Sequence, residues 1–239
     1  MTRWLGIVLL PLAGSAQAAV DVYTSQALFL LALSNQGLTV QQEGFEDDAT
    51  WGDVRSTIVD GFFAAPDVLS QGIRWTSNFA EGAITTGEGA ARRGSWGFYA
   101  YPHGQYGTGA DCSLPGVCGD GFIGEAAQGL YAIGGWVRTN TPPAELTLFI
   151  DGTRLDFGEA GNLFTGYAFF GAVSNTPFQR FEFREMEGGG DEAKYIFADD
   201  SSFALAPVPE PTAASLLLLG LGLGLSGGWV RRRAVQTRR

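Results

Sequence analysis

The stretch ELTLFIDGTRLDF, residues 145–157, decides the fold class. Leu146, Leu148 and Ile150 recur at every second position, and Leu155 and Phe157 do the same beyond Asp151-Gly152. Successive side chains on a strand point to opposite faces, so this alternation buries one face and leaves the other to solvent. Asp-Gly between two such runs favours a two-residue turn, because these residues tolerate a positive φ. The stretch reads as a β-hairpin.

Further along, YAFFGAV (167–173) is apolar throughout, as in a strand covered on both faces. Phe181 and Phe183 alternate with Glu182 and Arg184, as in a half-exposed strand. Gly188, Gly189 and Gly190 turn the chain, and 194–205 returns as the last strand. Upstream, 20–23, 38–45, 72–77, 95–101 and 130–137 also read as strands. One short helix, SQALFLLAL (25–33), has Thr24 or Ser25 placed to cap it and Gly37 just past its end. Many short strands with Gly-rich turns predict an all-β fold: an antiparallel β-sandwich of jelly-roll type with one short N-terminal helix. There is no internal repeat.

The two ends of the chain are not part of that domain. Residues 1–18 have the build of a secretory signal peptide: Arg3, an apolar stretch from Trp4 to Leu12, then Ala16-Gln17-Ala18 as a small-x-small cleavage site. Residues 213–230 carry no charge. As a helix they would be about 27 Å long, close to the roughly 30 Å of a bilayer core. Arg231, Arg232, Arg233, Arg238 and Arg239 follow and would stay in the cytoplasm. The domain between, 19–206, would then face outward. It holds nine basic and twenty-four acidic side chains, a net charge of −15, which argues against nucleic acid as a partner. Cys112 and Cys118 lie close together in a Gly-rich loop of an exported chain and are expected to form a local disulfide.

Val208-Pro209-Glu210-Pro211, the apolar Gly/Leu-rich run and the terminal arginines stand in that order within 207–239. Together they resemble the PEP-CTERM sorting signal of Gram-negative bacteria. The resemblance implies recognition by exosortase, a membrane protease-transferase, and cleavage near Pro-Glu-Pro. It implies an inner-membrane-anchored precursor whose mature domain passes to the cell surface or extracellular matrix, in company with exopolysaccharide. A permanent single-span anchor would give the same topology. The body is also similar to β-rich bodies of this class, through Phe45-Glu46, Gly72-Ile73-Arg74-Trp75-Thr76-Ser77, Phe169-Phe170-Gly171 and Asp199-Asp200. That likeness implies fold and location, not activity.

Phe45-Glu46 early and Asp199-Asp200 in the last strand also resemble extracellular jelly-roll domains, carbohydrate-binding modules among them. There the first and last strands lie side by side and hold a structural calcium. Carried over, Glu46 and Asp200 would be ligands, with Asp199 beside them and backbone carbonyls filling the shell. Ser201 stands where an apolar residue usually follows. The other reading is a solvated acidic turn at each end.

RRGSWGFYAYPHGQYG (92–107) is the densest aromatic cluster. Alternation puts Trp96 and Phe98 on one strand face and Tyr99 and Tyr101 on the other, so one face is core. Tyr99, Tyr101 and Tyr106 are the candidates for stacking on sugar rings. Glu182, Glu185 and Glu187 are the only close carboxylate series on a strand, and they read as a solvent face running into the Gly turn. Glycosidases need two carboxylates across one bond. Glu185 and Glu187 share a face, but Glu182 points the other way. A Ser-His-Asp triad would have to use His103, and within 19–206 no G-x-S-x-G is present, since Arg93 takes the place of the first Gly in RGSWG. The sequence thus points to a non-enzymatic surface or matrix protein associated with exopolysaccharide. A glycan-active enzyme on the same scaffold and a purely structural surface protein are the alternatives.

Overall fold

The structure is a computed structural model that describes residues 19–57, 61–79, 82–102, 119–139, 144–157, 162–163, 166–185 and 195–206. The expected signal peptide, His103, Tyr106, Cys112, Cys118, Glu187, the triple-Gly turn and the tail 207–239 lie outside these residues. Among the described residues no helix is long and apolar enough to cross a membrane.

The elements run β1 (Val20–Tyr23), α1 (Gln26–Asn35), β2 (Gln41–Glu43), α2 (Asp48–Trp51), β3 (Arg55–Ser56), β4 (Asp67–Ser70) and β5 (Ile73–Ser77). Then come β6 (Ile84–Gly87), β7 (Gly97–Ala100), β8 (Gly121–Thr139), β9 (Ala144–Ile150) and β10 (Thr153–Arg154). The last three are β11 (Asn162–Leu163), β12 (Ala168–Glu185) and β13 (Ile196–Leu205). The protein is mostly β with few helices, as expected. Among the described residues all strand pairings are antiparallel except β3 with β6.

The hairpin expected around Asp151-Gly152 is present. Ile150 lies opposite Thr153, and Asp151 and Gly152 take φ of 45° and 80°. Both values are positive, as a type I′ turn requires. The expected strand over 38–45 shortens to the three residues of β2, because Phe45 adopts φ 59° and turns the chain. The separate strands expected at 167–173 and 181–184 are one 18-residue strand, β12, and the strand expected at 130–137 extends back to Gly121 as β8.

These two long strands create the architecture. Their register shifts between Val173 and Arg180, where Gly129 of β8 takes φ 83° close to Pro177. Bulges of this kind bend a strand and let it pass from one layer to another. Before the bend, β8 pairs with β5 and with the second half of β12, which continues to β9 and β10. After it, β8 pairs with β13 and with the first half of β12, which carries β1 at its edge. β13 extends that layer through β7 and β6 and takes β2 along its second half.

The core fills the space between the layers. Phe45 packs on Trp51, Trp75 and Phe98 at centroid distances of 5.1, 5.3 and 5.1 Å. Trp75 of one layer meets Phe98 of the other at 5.5 Å, and both are fully buried. Burying such a side chain stabilises by about 1.5–3 kcal/mol.

A smaller cluster lies on the outer face of the second layer. There Phe29 and Leu33 of α1 pack against Ala132, Phe169, Val173 and Ala204. Gly134 and Gly171 permit the approach, since a Cβ at Gly134 would come within 2.6 Å of Phe169 and 3.0 Å of Phe29. Ser25 occupies the N-cap position without a side-chain hydrogen bond. The helix ends where Gly37, at φ 67°, donates its N–H to Ser34 and Leu38 donates to Leu33. This is the paired C-terminal motif that a positive-φ glycine allows.

Candidate functional site

Beyond the reach of α1, the outer face of the second layer carries a groove of about 420 Å³. Tyr99 of β7 and Phe197 of β13 are cross-strand partners on this face, because Phe98 and Ala198 beside them take the core side. Their ring centroids are 5.4 Å apart. Tyr195 stacks near Phe197 at 6.0 Å and 22°, and meets Tyr99 edge-on at 5.7 Å. Phe62 closes another side and is 53% exposed. Ser56, Thr57 and the chain from Gly87 to Ala90 complete the lining, with Glu88 exposed upon it.

The rings are held from behind. Phe62 stacks on Tyr101 at 4.7 Å and 14°. Tyr101 itself is buried, so it supports the groove wall and does not present its face. The Arg138 guanidinium lies 4.0 Å from the Phe197 ring and donates to the Gly89 carbonyl at 2.6 Å. It also lies 5.4 Å from the Tyr167 ring. The Tyr167 hydroxyl donates to the Ala90 carbonyl, and burial pushes its pKa up to about 12. That hydrogen bond pins the wall segment to the sheet.

Of the residues expected to stack on sugar, Tyr99 lines this groove, Tyr101 lies under it, and Tyr106 falls outside the described residues. Sequence reasoning missed Phe62, Tyr195, Phe197 and Glu88. Tyr195-x-Phe197 has the period of one strand face and could have been noticed; Phe62 had no local signal.

The acidic ends do come together, since β2 pairs with β13. Glu46 accepts from the backbone N–H groups of Ser95 and Trp96, both at 2.8 Å. Asp199 accepts from Arg92 and Arg93 N–H at 2.7 and 2.9 Å and from Asp200 N–H at 2.8 Å. Asp200 pairs with the Arg92 guanidinium, which stacks 3.8 Å from the Trp136 ring. Burial raises the Asp199 pKa against these hydrogen bonds. Calcium needs six to eight oxygen ligands. Here Glu46 Oε1 and both Asp199 oxygens face backbone N–H donors, and Asp200 faces an arginine. Among the described residues no group of three or more His, Cys, Asp or Glu gathers as for a metal. The carboxylates here clamp the loop 92–96, and Arg55 holds the same region by stacking 4.2 Å from Trp96.

The carboxylate series on β12 is not a solvent face. Glu185 is fully buried and Glu182 nearly so. Glu185 follows Phe181 and Phe183 on the inward face and accepts from Asp120 N–H at 3.2 Å. Glu182 points outward, between Arg180 at 3.4 Å and Arg184 at 3.5 Å. The two cannot face one bond.

No family model matches the sequence, and no match was found among curated proteins. Among solved structures, the CBM22-1 xylan-binding domain from Paenibacillus barcinonensis Xyn10C aligns with a TM-score of 0.37 and 11% identity. The alignment covers 72% of this chain and 97% of that one. At that level the likeness carries no function across.

Proposed function

We propose that this chain is an exported, non-enzymatic surface or matrix protein that binds extracellular polysaccharide through the aromatic groove. The observation that supports it is the groove itself: Phe62, Tyr99, Tyr195 and Phe197 line one concavity on a braced sheet. Sugar rings present C–H faces that pack on aromatic rings, while their hydroxyls need acceptors and donors at the rim. Concave, largely preformed sites with aromatic walls and a few polar groups are the usual form of small-ligand pockets. Glu88 is the only carboxylate in the described lining, so the two-carboxylate arrangement of glycosidases finds no counterpart there.

The export reading rests on the sequence of the two ends. In this proposal the scaffold is a jelly-roll-like β-sandwich bearing a local Cys112–Cys118 disulfide. The tail 207–239 directs the precursor to an exosortase-like enzyme at the inner membrane. The mature domain then joins the exopolysaccharide at the cell surface. Titration of the mature protein with the producing strain's purified exopolysaccharide tests the binding. Saturable heat release is expected; a flat titration would leave a purely structural surface protein as the better account.

A further inference from the structure

We infer that the groove selects neutral sugars over uronates, and that Glu88 makes the selection. The inference rests on the glycan reading above and names the substrate class for the same groove. Glu88 is the one charged side chain in the described lining, and it is exposed at the start of a short 3-10 turn over Glu88–Ala90. A carboxylate at a sugar site accepts hydrogen bonds from hydroxyl groups. It repels a second carboxylate brought to the same place.

The guanidinium at the groove wall does not reverse this. Arg138 lies 4.0 Å from the Phe197 ring and donates to the Gly89 carbonyl, and it is not part of the described lining. Its charge is committed to bracing the wall. The domain as a whole adds to the effect. Residues 19–206 carry a net charge of −15, which repels an approaching polyanion over roughly one Debye length, about 8 Å at physiological salt.

The test uses the mature protein and three forms of each of several soluble glucans, mannans and galactans. One form is native and neutral, one is oxidised at the primary hydroxyl to the uronate, and one is that uronate methyl-esterified. The expected result is binding of at least one neutral polymer, with its uronate form at least tenfold weaker at low salt. Esterification restores the affinity, which separates charge from shape. Added salt narrows the gap. Glu88→Lys brings the uronate form level with the neutral one or above it, and Glu88→Gln shrinks the gap between the two forms. Glu88 is exposed, so neither change threatens the fold.

A uronate form that binds the unaltered protein as tightly as its neutral parent would overturn the inference and leave the groove reading standing. A preference that Glu88→Lys does not move would also overturn it. Failure of every polymer to bind is a different result: it removes the glycan reading, and the inference with it.

Discussion

Tyr99 and Phe197 lie opposite each other on neighbouring strands, with ring centroids 5.4 Å apart and the Arg138 guanidinium 4.0 Å from the Phe197 ring. Neither ring is needed for the core, whose residues Phe98 and Ala198 occupy the inner face at the same level. Two half-exposed aromatic rings braced in this way form a platform that costs little further ordering when a ligand arrives.

Asp47 caps α2, and its carboxylate accepts from Ala49 N–H and the Thr50 hydroxyl. The hydrogen bond from Thr50, then that from Ala49, lowers its pKa below the ordinary 3.8. A depressed folded pKa means that the stabilisation is fully present above the unfolded value and is lost as pH falls through the folded one. Asp47→Ala should therefore melt about 2–4 °C below the unaltered protein at neutral pH. Thermal melts from pH 7 down to pH 2 should show the gap closing below the ordinary carboxylate range. A constant gap would contradict the capping role.

Gly134 sits beneath α1, where a Cβ would approach Phe169 to 2.6 Å and Phe29 to 3.0 Å. Gly134→Ala should cost about 1–3 kcal/mol through forced side-chain shifts. Phe29→Ala should cost about 3–5 kcal/mol, because the ring is fully buried. Urea unfolding measures both. Unchanged midpoints would mean that α1 does not dock on the second layer.

Adding calcium, or removing it with EDTA, should leave the melting temperature of the mature protein unchanged. Asp199 accepts from three backbone N–H groups and Asp200 is paired with Arg92. A rise of several degrees with calcium would show that Glu46, Asp199 and Asp200 rearrange around an ion.

Intact-mass measurement of the protein from its producing cells should give a chain that begins near Ala19 and lacks the arginine tail. Peptide mapping without reductant should find Cys112 joined to Cys118. A full-length C-terminus would remove the sorting proposal, and free thiols would remove the disulfide.

Some of this was legible in the chain because its cause is local. The hairpin at Asp151-Gly152 needs only a two-residue period and a turn that tolerates positive φ, and both are visible in thirteen letters. The helix end at Gly37 is equally local. The joining of 167–173 to 181–184 as β12 was not legible, because the bend at Pro177 reads as a break until β8 is seen bending beside it. The groove was half legible for the same reason. Tyr99 shows itself by alternation, but Phe62 and Phe197 reach it from distant segments that only the sheet brings together. At the acidic ends, the pairing of β2 with β13 brings two distant segments together, and Arg92 enters from the middle of the chain, which nothing near Asp200 in sequence announces.

The most direct test of the central claim is the exopolysaccharide titration repeated with Tyr99→Ala, Phe197→Ala and their double variant, beside Leu69→Ala as an exposed control outside the groove lining. Each single groove change should weaken binding at least tenfold, a loss of about 1.4 kcal/mol, and the double variant should abolish it. Leu69→Ala should bind as the unaltered protein does, and all four should melt as cooperative folds. Binding that survives the double variant would contradict the assignment of the groove.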